Sequence, residues 1–475
     1  MKSAKSVSLF VAALAWISLL GCAIIIGGQT IAPTNLPPSA LPTQVVVLPS
    51  AQRTQALRLP SPQPTQPSLP PTPDTRTEVR IGIVYPISGR LENWGKEALP
   101  IIQMAEADIN NTPEAVAAGK RFRFVVVSSE TTAEGALAAV KDLVEKQGIQ
   151  VIVGIPTSTE LEGAIPHLTQ YQVAAINSAS TAPLPALSKP DTVFRIAPPE
   201  LYVARTHAQF ALNQGYRKAA VIYRTDDWGP RYADEFVAQF KAKGYPTALV
   251  PIPPTHPQVQ DYAPQVTQLS AQVAKLGADE QTIVFMAVWE GEDLNILHHA
   301  TQDATLSRVR WSSAVLYPSL RSGNFVDQVV LPDARDFALA HNVWGAESYL
   351  PMNEPLRRMR AAVQAQLGRE PRLEHIYLYD AMQIAARAVL LAGTAKGNAV
   401  AAMIPSATQK YAPVTGIIRF DANGDRASGD LAFYGLFKEG STWVYRYYAF
   451  YDSQTNQFRI LSQPEKREAI FCPEC

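Results

Sequence analysis

Two short hydroxyl-bearing stretches carry the most concentrated chemistry in this chain. Thr157-Ser158-Thr159 follows the apolar run Val151-Ile152-Val153-Gly154, and Ala179-Ser180-Thr181 follows Val173-Ala174-Ala175-Ile176. An apolar run, a glycine and then hydroxyl residues before an amphipathic segment predict a buried strand turning into a capped helix. The first amides of a helix lack internal partners and sit at the positive end of its dipole, so such a turn favours an anion. Two such turns side by side would aim N–H groups and hydroxyls into one cleft. Taken singly, each is no more than a capped turn, and the scaffold around them decides between the two readings.

That scaffold alternates. Val79–Val84 reads as a strand, and Ala98, Ile101, Ile102, Ala105 and Ile109 mark a helix face. Phe122–Val127 is a strand, and Leu137, Val140, Leu143 and Val144 form a second helix face. After Pro198-Pro199 the pattern restarts. Helices are expected at 202–213, 231–243, 262–276 and 292–301, and strands at 219–223, 248–252 and 282–288. Two further helices, near 355–367 and 374–392, precede a strand-rich end at 415–461 with Phe420–Asp425 as its turn. Strand–helix alternation predicts parallel sheets covered on both faces. At 475 residues the chain exceeds one ordinary core, so two lobes are expected.

Composition removes several classes. Lys+Arg and Asp+Glu balance at 42 each, which gives no footing for a nucleic-acid partner. The three cysteines, Cys22, Cys472 and Cys475, exclude a disulfide framework for the main body. No nucleophile–base motif, P-loop, zinc-protease motif or dinucleotide fingerprint is present, so neither an enzyme nor a cofactor is expected. No metal is expected either. His298-His299 on a helix would point apart, and Asp421-Ala422-Asn423-Gly424-Asp425 reads as a turn because its glycine is misplaced for a calcium loop.

The N-terminus reads as an export and anchoring device. Lys2 and Lys5 precede an apolar stretch to about Gly28, and Leu19-Leu20-Gly21-Cys22 resembles a bacterial lipoprotein processing site with Cys22 as the acylated residue. The stretch is also long enough to span a bilayer as an uncleaved anchor, which takes ~20 residues. Either way the body lies outside the cytoplasm, tethered to the membrane. Residues 29–78 are rich in Pro, Ser, Thr and Gln and read as an extended linker. Residues 463–475 form a tail that ends in Cys472-Pro473-Glu474-Cys475.

The order of these elements resembles the type I periplasmic solute-binding proteins, in particular the leucine/isoleucine/valine-binding branch that serves ABC importers. The residues that carry the resemblance are Ile83–Gly89 with Trp94-Gly95, Gly148–Gly154, Ile176–Pro183 and Gly416–Asp421 with Gly424-Asp425. It covers about Glu78 to Asp452. It implies two doubly wound α/β lobes, 79–197 plus 345–414 and 198–344 plus 415–462, joined by three crossovers and closing on a small-molecule ligand. The implied partner is an ABC permease in the membrane; a ligand-sensing receptor subunit is the alternative.

The resemblance also implies a site. The ligand's carboxylate would lie on hydroxyls and amides of Thr157, Ser158, Thr159, Ala179, Ser180 and Thr181, with Thr181 foremost. Trp94, Trp228 and Trp289 would line the cleft, and the first two lie in stretches that read as turns. Where amino-acid binders present a carboxylate to the ligand ammonium, this chain has Ser313. A buried ammonium needs a paired acid. So either Asp227, Glu290 or Glu292 substitutes, or the ligand is an amide or a carboxylate other than an α-amino acid.

Overall fold

The computed structural model describes residues 74–184, 192–226, 228–253, 261–289, 291–314, 331–350, 352–368, 371–439 and 442–466. The expected anchor with Cys22, nearly all of the linker, Asp227, Glu290, Cys472 and Cys475 lie outside them.

Five parallel strands build the first sheet: β1 (Thr77–Tyr85), β2 (Lys120–Ser128), β3 (Val151–Gly154), β4 (Ala174–Asn177) and β5 (Val193–Arg195), in the order β2-β1-β3-β4-β5. The second sheet contains β6 (Lys218–Arg224), β7 (Thr247–Ile252), β8 (Thr282–Ala287), β9 (Arg310–Ser313) and β10 (Trp344–Ser348), in the order β7-β6-β8-β9-β10 and also parallel. Three antiparallel strands, β11 (Leu431–Glu439), β12 (Thr442–Asp452) and β13 (Gln457–Lys466), extend it beyond β10. The two parallel parts share one strand order, so each lobe has a topological switch point. It lies between β1 and β3 in the first lobe and between β6 and β8 in the second. The carboxyl ends of the strands at such a point open a crevice for ligands.

Strands covered on both faces read as continuous apolar runs, which is why Val151–Gly154 and Thr282–Ala287 are buried throughout. Alternate residues enter different cores. Val151 and Val153 pack beneath the helix Leu373–Ala392, while Ile152 joins the helices Ala133–Lys141 and Ser158–Gln170. In β8, Val284 and Met286 face one core, and Ile283 and Phe285 face the aromatic cluster with Phe210, Phe236 and Phe433.

The expected fold class holds. Three helices were not anticipated, the short Pro113–Ala117, Pro332–Ala340 and Gly397–Gln409, the last carrying Pro405 within it. Two lobe boundaries also shift. Trp344–Ser348 pairs with β9 and β11, so all of it belongs to the second sheet. The turn 420–426 stays with the first lobe: Asp425 bridges to Arg195 of β5, and Phe420 packs edge-on to Phe194 at 5.0 Å. The chain therefore crosses after Ser348 and between the turn and β11, rather than at 344–345 and 414–415. The physical reason is strand pairing between residues far apart in sequence.

Candidate functional site

The first-lobe half of the site grows from β3 and β4. After Gly154, Thr157 caps the helix Ser158–Gln170. Its hydroxyl accepts from the Glu160 amide at 3.3 Å, and its own amide donates to the Glu160 carboxylate at 2.9 Å. Glu160 is fully buried and also accepts from the Ser129 hydroxyl; desolvation nonetheless pushes its carboxyl upward. The Thr157 hydroxyl and amide are therefore both engaged in capping.

Ser158 faces the neighbouring turn. Its hydroxyl accepts from the Ser180 hydroxyl at 3.0 Å and from the Ala182 amide at 3.3 Å. Asn177, at the end of β4, staples the two turns: its amide nitrogen donates to the Ile155 carbonyl, and its oxygen accepts from the Ser180 amide at 2.8 Å. These bonds tie Ser158 to the turn of Ala179, Ser180 and Thr181, together called the cradle; Ser180 is buried with its hydroxyl and amide both engaged, while Thr159 is exposed on the first helical turn. Behind the cradle, the Thr181 hydroxyl donates to Glu200 at 3.4 Å.

The second-lobe half grows from β6 and β8. The Arg224 guanidinium binds Asp226 at 2.6 Å and Glu292 at 2.8 Å, and lies 4.0 Å from the centre of the Trp289 ring. Asp226 also caps the helix Gly229–Lys241 by accepting from the amides of Trp228 and Gly229 at 3.2 and 3.0 Å. Glu292 accepts from the Trp289 amide at 2.8 Å. Glu292 was expected as a possible ammonium partner. The structure corrects this: it is 6% exposed and holds Arg224. Ser313 is fully buried at the end of β9, between β8 and β10.

The two halves meet. Arg90, on the turn after β1, lies over the second-lobe Trp289 ring at 5.6 Å, and Arg231 donates across the cleft to the Pro183 carbonyl. Trp289 is therefore at the lobe interface. Trp228 is half-buried against Tyr232, with ring centres 5.1 Å apart. Trp94 is not in a turn: it occupies the first turn of the helix Glu92–Asn110, half-buried, with Arg372 at 5.6 Å from its ring.

Sequence reasoning did not single out Arg90, Arg224, Arg231 or Glu200. The one available signal was position, since three of the four fall at or just beyond strand ends or at a helix start facing the switch points. Elsewhere, His298 and His299 pair with different acids, Asp333 at 2.6 Å and Asp261 at 2.9 Å. Asp421 accepts from the Asn423 and Asp425 amides, as a turn does. Among the described residues, no group of three His, Cys, Asp or Glu could hold a metal ion, and no single helix is long and apolar enough to cross a membrane. A separate cavity of about 550 Å³ lies at the outer edge of the first lobe, beside Phe194, Thr408 and Phe420.

Comparison with known proteins agrees with this architecture. A leucine-binding protein of Thermotoga maritima superposes with a TM-score of 0.61 at 18% identity, covering 77% of this chain and 97% of that one. A solute-binding protein of an ABC transporter from Rhodopseudomonas palustris, in complex with 3,4-dihydroxybenzoic acid, gives 0.62 at 18%, covering 79% and 98%. An uncharacterized protein of Methanocaldococcus jannaschii is 23% identical over 379 residues, 76% of this chain and 88% of that protein. The profile of the periplasmic binding protein family matches residues 78–441, most of the chain. The chain belongs to the periplasmic binding protein family.

Proposed function

We propose that this protein is the extracytoplasmic solute-binding component of an ABC importer, and that its ligand is a small carboxylate without a free ammonium group. The family and the two-lobed fold support solute binding. The neighbouring structures in complex with leucine-type amino acids and with hydroxybenzoic acids bracket the ligand classes. The observation that carries the choice between them is the fate of the acids at the two switch points. Glu160 is held within a helix cap, and Asp226 and Glu292 are held by Arg224. Among the described residues at these switch points, an ammonium would lose its hydration without gaining an unengaged acid, which is strongly unfavourable. A carboxylate meets hydroxyls and amides at the start of a helix. Binding involves no covalent step. The anchor at Cys22 and the linker would keep the body near a membrane-bound permease.

Thermal-shift and tryptophan-fluorescence titrations against small carboxylates, their amides and α-amino acids test this reading. Carboxylates are expected to raise the melting temperature of the wild type. In a Ser158→Ala, Thr181→Ala variant affinity should fall by roughly 10- to 100-fold, the worth of one or two hydrogen bonds to a charged group. Binding confined to α-amino acids, or equal shifts in both proteins, would count against it.

A further inference from the structure

Two guanidiniums of unlike standing occupy the place where the switch points meet. Arg224 is neutralised twice over, by Asp226 and Glu292. Arg90, partly open to solvent, has no ion-pair partner among the described residues, and the described acids whose charge acts on it, Asp226 and Glu160, are already engaged. Both guanidiniums lie over the Trp289 ring, at 5.6 Å for Arg90 and 4.0 Å for Arg224. A guanidinium resting on an indole keeps its planar fork of N–H donors for a carboxylate. Partial burial, and after it the neighbouring Arg224, make the Arg90 cation less favourable than usual. An anion between the two would relieve that repulsion.

Position supplies the second argument. In the first sheet β1 lies beside β3 and two strands from β4. Strands are spaced about 5 Å apart, so the turn bearing Arg90 is roughly 5–10 Å along the sheet edge from the cradle. That matches the separation of the two ends of a small diacid.

We infer that Arg90 reads a second anionic group, so that the cleft takes a small dicarboxylate. One carboxylate would lie in the cradle on Ser158 and Thr181, and the other on the Arg90 fork above Trp289. This rests on the reading of the cradle as a carboxylate site. Both anchors belong to the first lobe, and the ring of Trp289 beneath Arg90 is what the second lobe contributes.

The test is calorimetric titration of the wild type, Arg90→Gln, Arg90→Lys and Ser158→Ala, Thr181→Ala proteins. The probes are terephthalate and the aliphatic diacids from succinate to adipate, each beside its monoamide, together with 4-hydroxybenzoate. The wild type should bind at least one diacid roughly 10- to 100-fold more tightly than its monoamide. Arg90→Gln should bring that ratio near one, and Arg90→Lys, which keeps the charge but loses the fork, should fall between. Equal binding of diacid and monoamide by the wild type overturns the inference, as does an Arg90→Gln protein that weakens both alike. If monoacids and monoamides bind through the cradle without a preference for diacids, the cradle reading stands and the role of Arg90 falls. If no carboxylate binds to any of the proteins, both fall.

Discussion

Glu200 shows how one side chain can join the cradle to the hinge. It opens the helix Glu200–Asn213, its amide donates to the Thr181 carbonyl at 3.0 Å, and its carboxylate accepts from the Thr181 hydroxyl. It is 1% exposed, and its Oε1 has no hydrogen-bond partner among the described residues. Burial pushes its pKa up to about 8, against the opposing influence of the Thr181 hydrogen bond, Arg195 and Arg231. The folded state thus holds a proton that the unfolded state releases near 4.5. Stability from this group is present below pH 4.5 and is lost as pH rises to about 8, a change of up to roughly 5 kcal/mol. Glu200→Gln should remove that dependence. Melting curves at pH 5, 7 and 9 are expected to show the variant gaining on the wild type as pH rises. Parallel pH profiles for the two proteins would refute the assignment.

At the scale of elements, the cradle depends on a close approach of β1 to β3. Gly154 ends β3 with φ at +100°, and a Cβ there would lie 2.4 Å from the Val84 carbonyl oxygen. Only glycine adopts that backbone without strain while leaving room for β1. Gly154→Ala should therefore cost about 2–4 kcal/mol, read as a lower melting temperature and a weakened ligand response. An unchanged melting temperature would show that β3 can move away from β1. On the far side, Arg195 at the end of β5 braces the same turn. It donates to the Ala182 carbonyl and pairs bidentately with Asp425, at 2.5 Å for both contacts. The turn 420–426 thus serves as a brace for the cradle, a role that its turn-forming composition does not reveal.

For the whole molecule, the crossovers are laced together by buried polar side chains. The Arg426 guanidinium is 3% exposed and donates to carbonyls of Ile196, Thr415, Ile417 and Ser428, joining the first crossover to the third. Asp380, fully buried in the helix Leu373–Ala392, accepts from the Tyr411 hydroxyl, the Thr415 hydroxyl and the Val414 and Thr415 amides. Replacing Arg426 by Met would strand four carbonyls, and a loss of about 3–5 kcal/mol is expected in denaturant titrations. A loss under about 1 kcal/mol would mean that water replaces the guanidinium and that the hinge does not rely on it.

The sequence by itself determined most of the elements in their order and the capped turn after β3; the second hydroxyl stretch, expected to open a helix after β4, forms none in the described residues 178–184. Periodicity, glycine stops and helix caps act within a few residues, so they can be read directly from Val151–Gly154 or Thr157–Glu160. The restart of the alternation after Pro199 pointed to two similar lobes, but their shared strand order is set by pairing between strands far apart in sequence. Tertiary structure decided which groups remain available. Thr157 and Glu160 satisfy one another, Glu292 is held by Arg224 from 68 residues away, and Arg195 meets Asp425 across 230. Charge compensation is a property of neighbours in space, and among the described residues at the switch points it engages Glu160, Asp226 and Glu292 while leaving the Arg90 cation without an ion pair.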